Sequence, residues 1–396
     1  MKWVVAVWCV VALSCGARLP PLPSQGGPAW IELSSPHFKM WTDGSPEHGR
    51  ELLQQMEHFR SIIYGVAFPD LPPGGVAFVV AFVDRREAQV YTAYMTDAFS
   101  DDAVRSPIDQ PTIVLPAELD AGYVAQQIAF ATAHSAMRHT PWWLTTGFGM
   151  YFKTIDLDVT RGTARVGTPD YRVRRQLEHH RVLPTAKLFT CTHKTCAGDS
   201  FNYASAWALY AFLLNNHPAE LRKLEHQLES QKFDAAWQTS FGDLTLDQVD
   251  KQVLDWLGSG GIAVASYKLE LQQWPTQQRS LGDADVHALR ALLHFYRDRD
   301  DSRHETAAAI ALDPSNVLAR IVESDLDKQP PAIDVAKALV AAHPDQWLAW
   351  GLLYAALKQG PDADAAHAKM CELVLQNPEL LLYEKCKSAS QPTPAP

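Results

Sequence analysis

The apolar stretch at the N-terminus is too short to cross a membrane, and this limits what the chain can fold into. After Lys2, residues 3–14 form a nearly continuous apolar run of twelve residues, whereas a transmembrane helix needs about 20. A charged start, a short apolar region and small residues after it are typical of an export signal. The Pro- and Gly-rich residues 19–28 argue against a buried helix here. No later segment is long and apolar enough to span, so we expect a soluble, globular body outside the cytoplasm.

Two ways of processing this signal remain open. Ala12-Leu13-Ser14-Cys15 resembles a lipobox, which would leave Cys15 lipidated and the protein tethered through a linker at 17–29. Cys15-Gly16-Ala17 would instead suit ordinary cleavage and free release. We therefore predict an export signal over 1–16, of the lipoprotein type by preference, and a location in the periplasm or cell envelope.

The length of the chain predicts the number of folded units, and its net charge limits the classes of partner. A chain of 396 residues predicts two or three folded units. Its formal net charge of −10 argues against nucleic acid, because phosphate binding depends on clustered Lys and Arg. The same sign argues against docking on anionic lipid head groups. Partners are therefore expected to be proteins or extended peptides.

The cysteines outside the signal are even in number. An even count in an exported protein predicts disulfides. Of the three possible pairings, Cys191–Cys196 with Cys371–Cys386 is the most local. His193 lies between the first two cysteines, but three ligands in a six-residue loop with no second cluster make a weak metal site.

The hydrophobic patterns predict a mixed region followed by a helical one. Residues 30–42 have the composition of a strand pair or of one strand broken at Pro36, residues 76–83 form a buried strand, and residues 112–115 form an edge strand. Helices are predicted from about residue 121 to 138, after Pro141, and repeatedly between 201 and 257. The glycine-rich residues 258–261 mark a candidate boundary.

Beyond that boundary the spacing of short turns indicates repeats. Pro314, Pro344 and Pro378 each end an Asp-, His- or Asn-Pro turn and are 30 and 34 residues apart. A helix pair of about 34 residues is the period of tetratricopeptide repeats, which this stretch resembles. We expect two or three degenerate repeats over 261–387 and a disordered Pro/Ser-rich tail at 388–396.

Residues 121–153 hold the pattern with the most chemical content. They predict a helix that carries His134 near its end, a turn at Pro141, and a second helix with the spacing Leu-x-x-Gly-x-x-x-Tyr-Phe. This layout resembles the gluzincin-type zinc peptidases of exported bacterial proteins, whose peptidase domain often precedes tetratricopeptide repeats. In that family H-E-x-x-H supplies two zinc ligands and a general base, and a Glu of the second helix completes the three protein ligands.

The chain keeps the scaffold of this pattern and loses its ligands. His134 stands at the second histidine, whereas Phe130 and Ala131 replace the first histidine and the general base. Thr146 replaces the Glu of the second helix. One neutral histidine does not hold zinc at useful affinity, and His139 points about 140° round the helix from His134. The resemblance therefore implies a peptidase fold with no catalytic residues and no zinc or other cofactor.

The resemblance covers about residues 30–257 and sets the expected fold class. The opening strand at 30–38, the middle segment at 166–189, the helix at 203–209 and the closing helices at 233–257 follow the family's order. It implies an α+β, gluzincin-like metallopeptidase domain over 30–260, with a small mixed sheet plus helices. An all-α helical-repeat domain would follow.

We predict a non-catalytic pseudopeptidase that binds peptides or proteins through the former substrate cleft and the repeats. The edge strand would pair with an extended peptide backbone, and aromatic side chains would anchor it. The predicted cleft residues are Thr112, Ile113, Val114, Leu115, Trp142, Trp143, Tyr151, Tyr203 and Trp207.

Two alternatives stay open at the level of sequence. The first is an active metal-dependent hydrolase with a rebuilt zinc site drawn from His134, His139, His179 or Glu178, which would bind metal stoichiometrically. The second is an envelope lipoprotein that only spaces or scaffolds other components. That alternative predicts no effect from changes in the cleft aromatic residues.

Overall fold

The computed structural model describes residues 19–70, 76–83, 87–88, 90–91, 112–116, 120–137, 139–178, 181–269, 272–295, 297–376 and 386–387. The predicted export signal, the lipidation site Cys15 and the predicted tail at 388–396 lie outside these residues. The described chain is α+β, with two small sheets and many helices.

Five strands form the larger sheet. They are β1 (Ile31–Ser34), β2 (Phe38–Thr42), β3 (Ala77–Ala81), β4 (Thr112–Leu115) and β8 (Gln277–Ser280), in the order β4-β3-β2-β1-β8. β2, β3 and β4 are parallel, whereas β1 pairs antiparallel with both β2 and β8. Residues 30–42 thus form a strand pair, with the turn at Pro36, and β4 is an edge strand of the sheet as described.

The two faces of this sheet bury two different cores because successive side chains of a strand alternate between faces. In β3, Val79 points into a core shared with the helices of the mixed region, and Val80 points into a second core. In β4, Ile113 and Val114 divide in the same way. The predicted strand is therefore buried on both sides over Ala77–Ala81, whereas Val83 at the end of the apolar run is 52% exposed.

Ten helices of the mixed region are described, all before residue 259. They are α1 (Pro46–Ala67), α2 (Ala121–Ala136), α3 (Trp142–Phe152), α4 (Tyr171–Leu177), α5 (Thr185–Phe189), α6 (His193–Cys196), α7 (Ser200–Asn216), α8 (Pro218–Gln227), α9 (Phe233–Phe241) and α10 (Leu246–Gly258). Ser45 caps the start of α1, because its side chain accepts from the His48 N–H. The helix ends before Phe68, which precedes Pro69 and is disfavoured in helical conformation. Their apolar faces meet in the first core.

The chain after the glycine-rich residues 258–261 returns to both sheets before it becomes helical. β7 (Ala265–Lys268) pairs antiparallel with β6 (Thr163–Val166), which also pairs with β5 (Asp156–Asp158) to complete the smaller sheet. β8 then adds to β1. The all-helical part therefore starts at residue 283, later than the glycine-rich boundary.

Six helices make up the C-terminal part as described. They are α11 (Asp283–His294), α12 (Arg299–Leu312), α13 (Val317–Asp327), α14 (Ile333–Ala342), α15 (Trp347–Leu357) and α16 (Pro361–Val374). α12 ends just before Pro314 and α14 just before Pro344, where the sequence predicted turns. Apolar residues of α11 and α13 share the second core with the sheet. The helical part is therefore packed on the sheet and does not stand apart from it.

The first described residues also belong to this second core. Leu22 is buried in it, and Ser24 donates to the Asp283 carboxylate through its backbone N–H at 3.1 Å. Arg290 of α11 donates to the Pro20 carbonyl at 2.8 Å. Residues 19–30, which the sequence assigned mainly to a linker, are thus held against α11.

Two disulfides close short loops. Cys191–Cys196 and Cys371–Cys386 have S–S distances of 2.03 Å, the pairing that the spacing favoured. Such bonds persist in oxidising compartments outside the cytoplasm. Within the described residues, no helix combines the length and the apolar character that crossing a membrane requires.

Candidate functional site

The candidate site is built on α2 and α3, the two helices of the peptidase-like pattern. α2 starts at Asp120, whose carboxylate accepts from the Gly122 N–H at 3.0 Å, and α3 starts after Pro141. Two glycines bring α3 close to its neighbours. A Cβ on Gly147 would lie 2.4 Å from the Ala206 carbonyl oxygen of α7. Gly149 makes the corresponding close approach to α2.

Phe130 occupies the position of the first expected zinc ligand, and its ring packs on Gly149. A Cβ added at Gly149 would lie 2.2 Å from Cε1 of Phe130, and the three nearest atoms all belong to that ring. The pair is therefore matched in shape, because the missing methyl group makes room for the phenyl ring.

The other expected metal and catalytic positions lie on the same two helices. Ala131 and Thr146 are each 5% exposed, and His134 is partly buried. Gln126, one turn before Phe130, donates to Sδ of Met150 at 3.2 Å. A phenyl ring, a methyl group and a hydroxyl group do not form a zinc site with one imidazole. The residues present do not fit the metal that the resemblance implies.

The residues considered for a rebuilt metal site do not gather in the described chain. His139 and Glu178 are exposed, and His179 lies outside the described residues. Within the described residues, no three His, Cys, Asp or Glu side chains are grouped to hold a metal ion. His193 and its two neighbouring cysteines do not form such a group either, since both sulfurs are in the disulfide.

His37 lies in the turn between β1 and β2 and has a structural partner in α1. Its Nδ1 lies 2.7 Å from Oε2 of Glu57 in α1. The other carboxylate oxygen of Glu57 accepts from the Ser35 hydroxyl at 2.6 Å and from the His37 backbone N–H at 3.0 Å. Burial alone would raise the pKa of Glu57, but these hydrogen bonds from His37 and Ser35 hold it below its ordinary value. These hydrogen bonds tie the β1–β2 turn to α1.

Most of the predicted cleft aromatics are core residues. Trp143 is 0% exposed and stacks on Phe189 at 5.4 Å between ring centroids. Trp207, Tyr151 and Trp142 are buried as well. Only Tyr203 among the five is partly exposed, and its ring lies 5.7 Å from that of Trp142. These side chains position α3 and α7 relative to each other, and Tyr203 is the one that can reach a ligand without rearrangement.

The predicted peptide-pairing strand lies where the sequence put it, at one end of the described sheet. In β4, Ile113, Val114 and Leu115 are buried and Thr112 is partly buried. Its side chains therefore serve the two cores. An extended peptide would meet its backbone edge, which is the mode of β-strand addition.

The helical part contains a pocket that sequence reasoning did not identify. It has a volume of about 510 Å³ and lies between the α11–α12 turn, the end of α13 and the C-terminal end of α15. Its polar and aromatic lining is formed by Phe295, Arg299, Ser324, Asp325, Lys328 and Gln329. The guanidinium of Arg299 lies 5.4 Å from the centre of the Phe295 ring. The lining is drawn from helical segments that are up to 60 residues apart in the chain, so no local sequence motif could have indicated it.

A buried acid was also missed. Glu225 of α8 is 2% exposed, and its Oε1 lies 3.5 Å from the hydroxyl of Tyr210. Burial raises the pKa of Glu225 to about 8, against smaller opposing effects of Tyr210 and Arg222. Leu221, Leu224 and Leu228 surround it at helical spacing, and this apolar face was the available signal.

One protein-family model matches the part of the chain that contains this site. The model of a family described as "Protein of unknown function (DUF1570)" matches residues 122–234, from α2 to the start of α9. No curated protein and no solved structure matches the chain. The matched segment contains Phe130, His134, Thr146 and Gly149, so the chain is similar to that family over its candidate site.

Proposed function

We propose that this is a non-catalytic, pseudopeptidase-type protein of the cell envelope that binds peptides or proteins. The export-like N-terminus and the two disulfides support the location. The packing of the Phe130 ring on Gly149 carries the non-catalytic part, because a phenyl ring fills the position where a first metal ligand would stand. The zinc-peptidase ancestry itself rests on the sequence resemblance.

Two surfaces support binding. β4 lies at one end of the described sheet, where an extended peptide would add as a further strand, and the partly exposed Tyr203 would offer a separate aromatic contact. The 510 Å³ pocket of the helical part adds an aromatic ring, a guanidinium and an ammonium group that can hold a polar side chain or a carboxylate. Proteins with helical repeats commonly bind partners along such surfaces.

The first test separates binding from catalysis by metal content. Full-length protein is purified without chelators, supplied with zinc, dialysed and analysed for metal. We expect less than about 0.1 equivalent of zinc and no chelator-sensitive hydrolysis of unfolded substrate protein. Zinc near one equivalent together with hydrolysis that His134→Ala abolishes would replace this proposal by the metallohydrolase alternative.

The second test measures binding directly with a labelled, reduced and carboxymethylated model protein that cannot fold. We expect saturable binding that a chelator does not change. The pocket variant Phe295→Ala/Arg299→Ala should weaken it, whereas Lys337→Ala, an exposed change on α14, should not. Absence of binding by the wild-type protein would sink the proposal. Deletion of the helical part is unsuitable, because it would expose the second face of the sheet.

A further inference from the structure

Residues 171–196 carry a local excess of positive charge in an acidic protein. The segment contains six Lys and Arg residues and one Glu, a formal charge of +5 in a chain of net charge −10. The rest of the chain therefore carries −15. Concentrating cations against such a background is the usual footprint of a surface for an anionic partner.

Four of these cations are exposed on the folded chain. In α4, Val173 and Leu177 are spaced by four residues and are buried in the first core, so the intervening positions face solvent. The exposed cations are Arg172, Arg174, Arg175 and Arg181, which we call the arginine patch. Tyr171 beside them is 75% exposed.

The segment that carries the arginine patch is held in place by hydrogen bonds that do not involve the arginines. Gln176 donates to the Ser200 hydroxyl at 2.9 Å, and the Leu183 N–H donates to the Ser205 hydroxyl at 2.9 Å. Both contacts fix the segment along α7. Among the described residues, no carboxylate forms an ion pair with any of the four arginines. Their guanidinium groups are therefore available to an anionic partner without the loss of an existing ion pair.

The surroundings favour a narrow partner over a membrane surface. α5, which follows the patch, packs on α10, where Asp247 and Asp255 are exposed. A planar anionic membrane would meet these carboxylates as well as the arginines.

We infer that the arginine patch is a docking surface for an acidic, extended segment of a partner protein. Arginine pairs with carboxylates in bidentate geometry, and the exposed Tyr171 ring adds apolar contact area. This surface lies on α4, apart from the β4 edge and the pocket of the helical part. The inference therefore stands or falls separately from the proposed function.

The test uses full-length protein and a labelled oligoglutamate peptide, with fluorescence anisotropy at low and at physiological ionic strength. Wild-type protein should bind the peptide and lose affinity as salt is added. Arg172→Gln/Arg174→Gln/Arg175→Gln should weaken binding at low salt by at least about fivefold, given the modest worth of single exposed ion pairs. Lys232→Gln/Lys268→Gln/Lys337→Gln removes the same charge from exposed sites elsewhere and should retain the affinity within about twofold.

Each other outcome overturns the inference. Absence of oligoglutamate binding by the wild-type protein at low salt would remove its basis. Equal losses in the two triple variants would mean that only net charge matters. Binding to vesicles of anionic phospholipid that the patch variant loses, without binding to the peptide, would assign the arginine patch to a membrane instead. Thermal unfolding of both variants verifies that they are folded.

Discussion

At the scale of single residues, the charged groups that this protein buries differ in how they are compensated. Glu57 accepts three hydrogen bonds and stays ionised. Glu225 has one long contact to Tyr210, and its Oε2 lies buried without a hydrogen-bond partner in the described chain. A carboxylate in such a place is costly, so the group responds by holding its proton to higher pH.

The raised pKa of Glu225 makes stability depend on pH. The folded-state pKa of about 8 lies above the unfolded value near 4.5, so the folded state binds the proton more tightly. Stability therefore falls as pH rises through this window, by up to about 1.4 kcal/mol per pH unit. We expect urea unfolding to show Glu225→Gln more stable than wild type at pH 8 and nearly equal to it at pH 5.

Glu220 provides the control for that measurement. It lies on the same helix, α8, and is exposed, so Glu220→Gln should leave the pH dependence of wild type intact. If the wild-type free energy of unfolding is flat between pH 5 and 8, the assignment to Glu225 is wrong.

At the scale of helices, the close contact between neighbouring helices depends on glycine, which has no side chain. The α2–α3 contact depends on Gly149, because the Phe130 ring occupies the space of a Cβ. Alanine favours a helix over glycine by about 1 kcal/mol, but here its methyl group would overlap the ring. Local propensity and packing therefore oppose each other at this position.

The effect of Gly149→Ala on stability should therefore change sign with the residue at position 130. Gly149→Ala should destabilise the wild-type protein by about 1–3 kcal/mol through overpacking. In a Phe130→Ala background the same substitution should be neutral or stabilising by up to about 1 kcal/mol. Urea unfolding of the four proteins of this double-mutant cycle measures the coupling. Equal costs in both backgrounds would contradict the contact.

The end of α13 offers a second prediction at this scale. Lys328 follows the helix with φ of 53° and ψ of 35°, the left-handed conformation, and its N–H donates to the Ser324 carbonyl. Glycine adopts this conformation without the penalty of a Cβ. Lys328→Gly should raise the free energy of unfolding by about 1 kcal/mol.

The control for Lys328 is an exposed lysine inside a helix. Lys337→Gly lies in α14 and should lower the free energy of unfolding by up to about 1 kcal/mol. A loss of stability in both variants would show that the side chain of Lys328 makes contacts worth more than the backbone cost.

At the scale of the whole molecule, the five-stranded sheet joins the two parts of the chain. One face packs on the helices of the mixed region and the other on α11 and α13. β7 and β8 cross back to both sheets before the helical part begins. The C-terminal helices therefore cover an apolar sheet face that would otherwise be wet.

A truncation in the helical part should consequently weaken the sheet. Leu292 of α11 is 1% exposed in the shared core, and Leu292→Ala should cost about 2–5 kcal/mol. We expect circular dichroism of the helices and hydrogen exchange of β3 to report the same loss. Leu312→Ala, at a 58% exposed position, should cost little. Loss of helix stability with unchanged β3 protection would show two independent domains.

Residue patterns alone were sufficient to predict much of the secondary structure, and to show that the ligands of the peptidase pattern are absent at the corresponding positions. Alternation and apolar runs predicted the opening strand pair, β3 and β4, and the helices around Pro141. These signals are local, since each depends on the chemistry of neighbouring residues in the chain. The identities of Phe130, Ala131 and Thr146 likewise exclude a family-type zinc site without any geometry.

The tertiary structure alone decided which of these residues reach solvent and which parts of the chain belong together. Trp143 and Trp207 are of a residue type that often binds ligands, but both lie in the core. The pocket and the arginine patch can be recognised only when the positions of the helices are known. Strands β7 and β8 show no strong strand pattern in the sequence. They form by pairing with β6 and β1, whose residues lie more than 90 positions away along the chain. Burial and pairing between distant segments are properties of the packed chain, and local sequence does not encode them by itself.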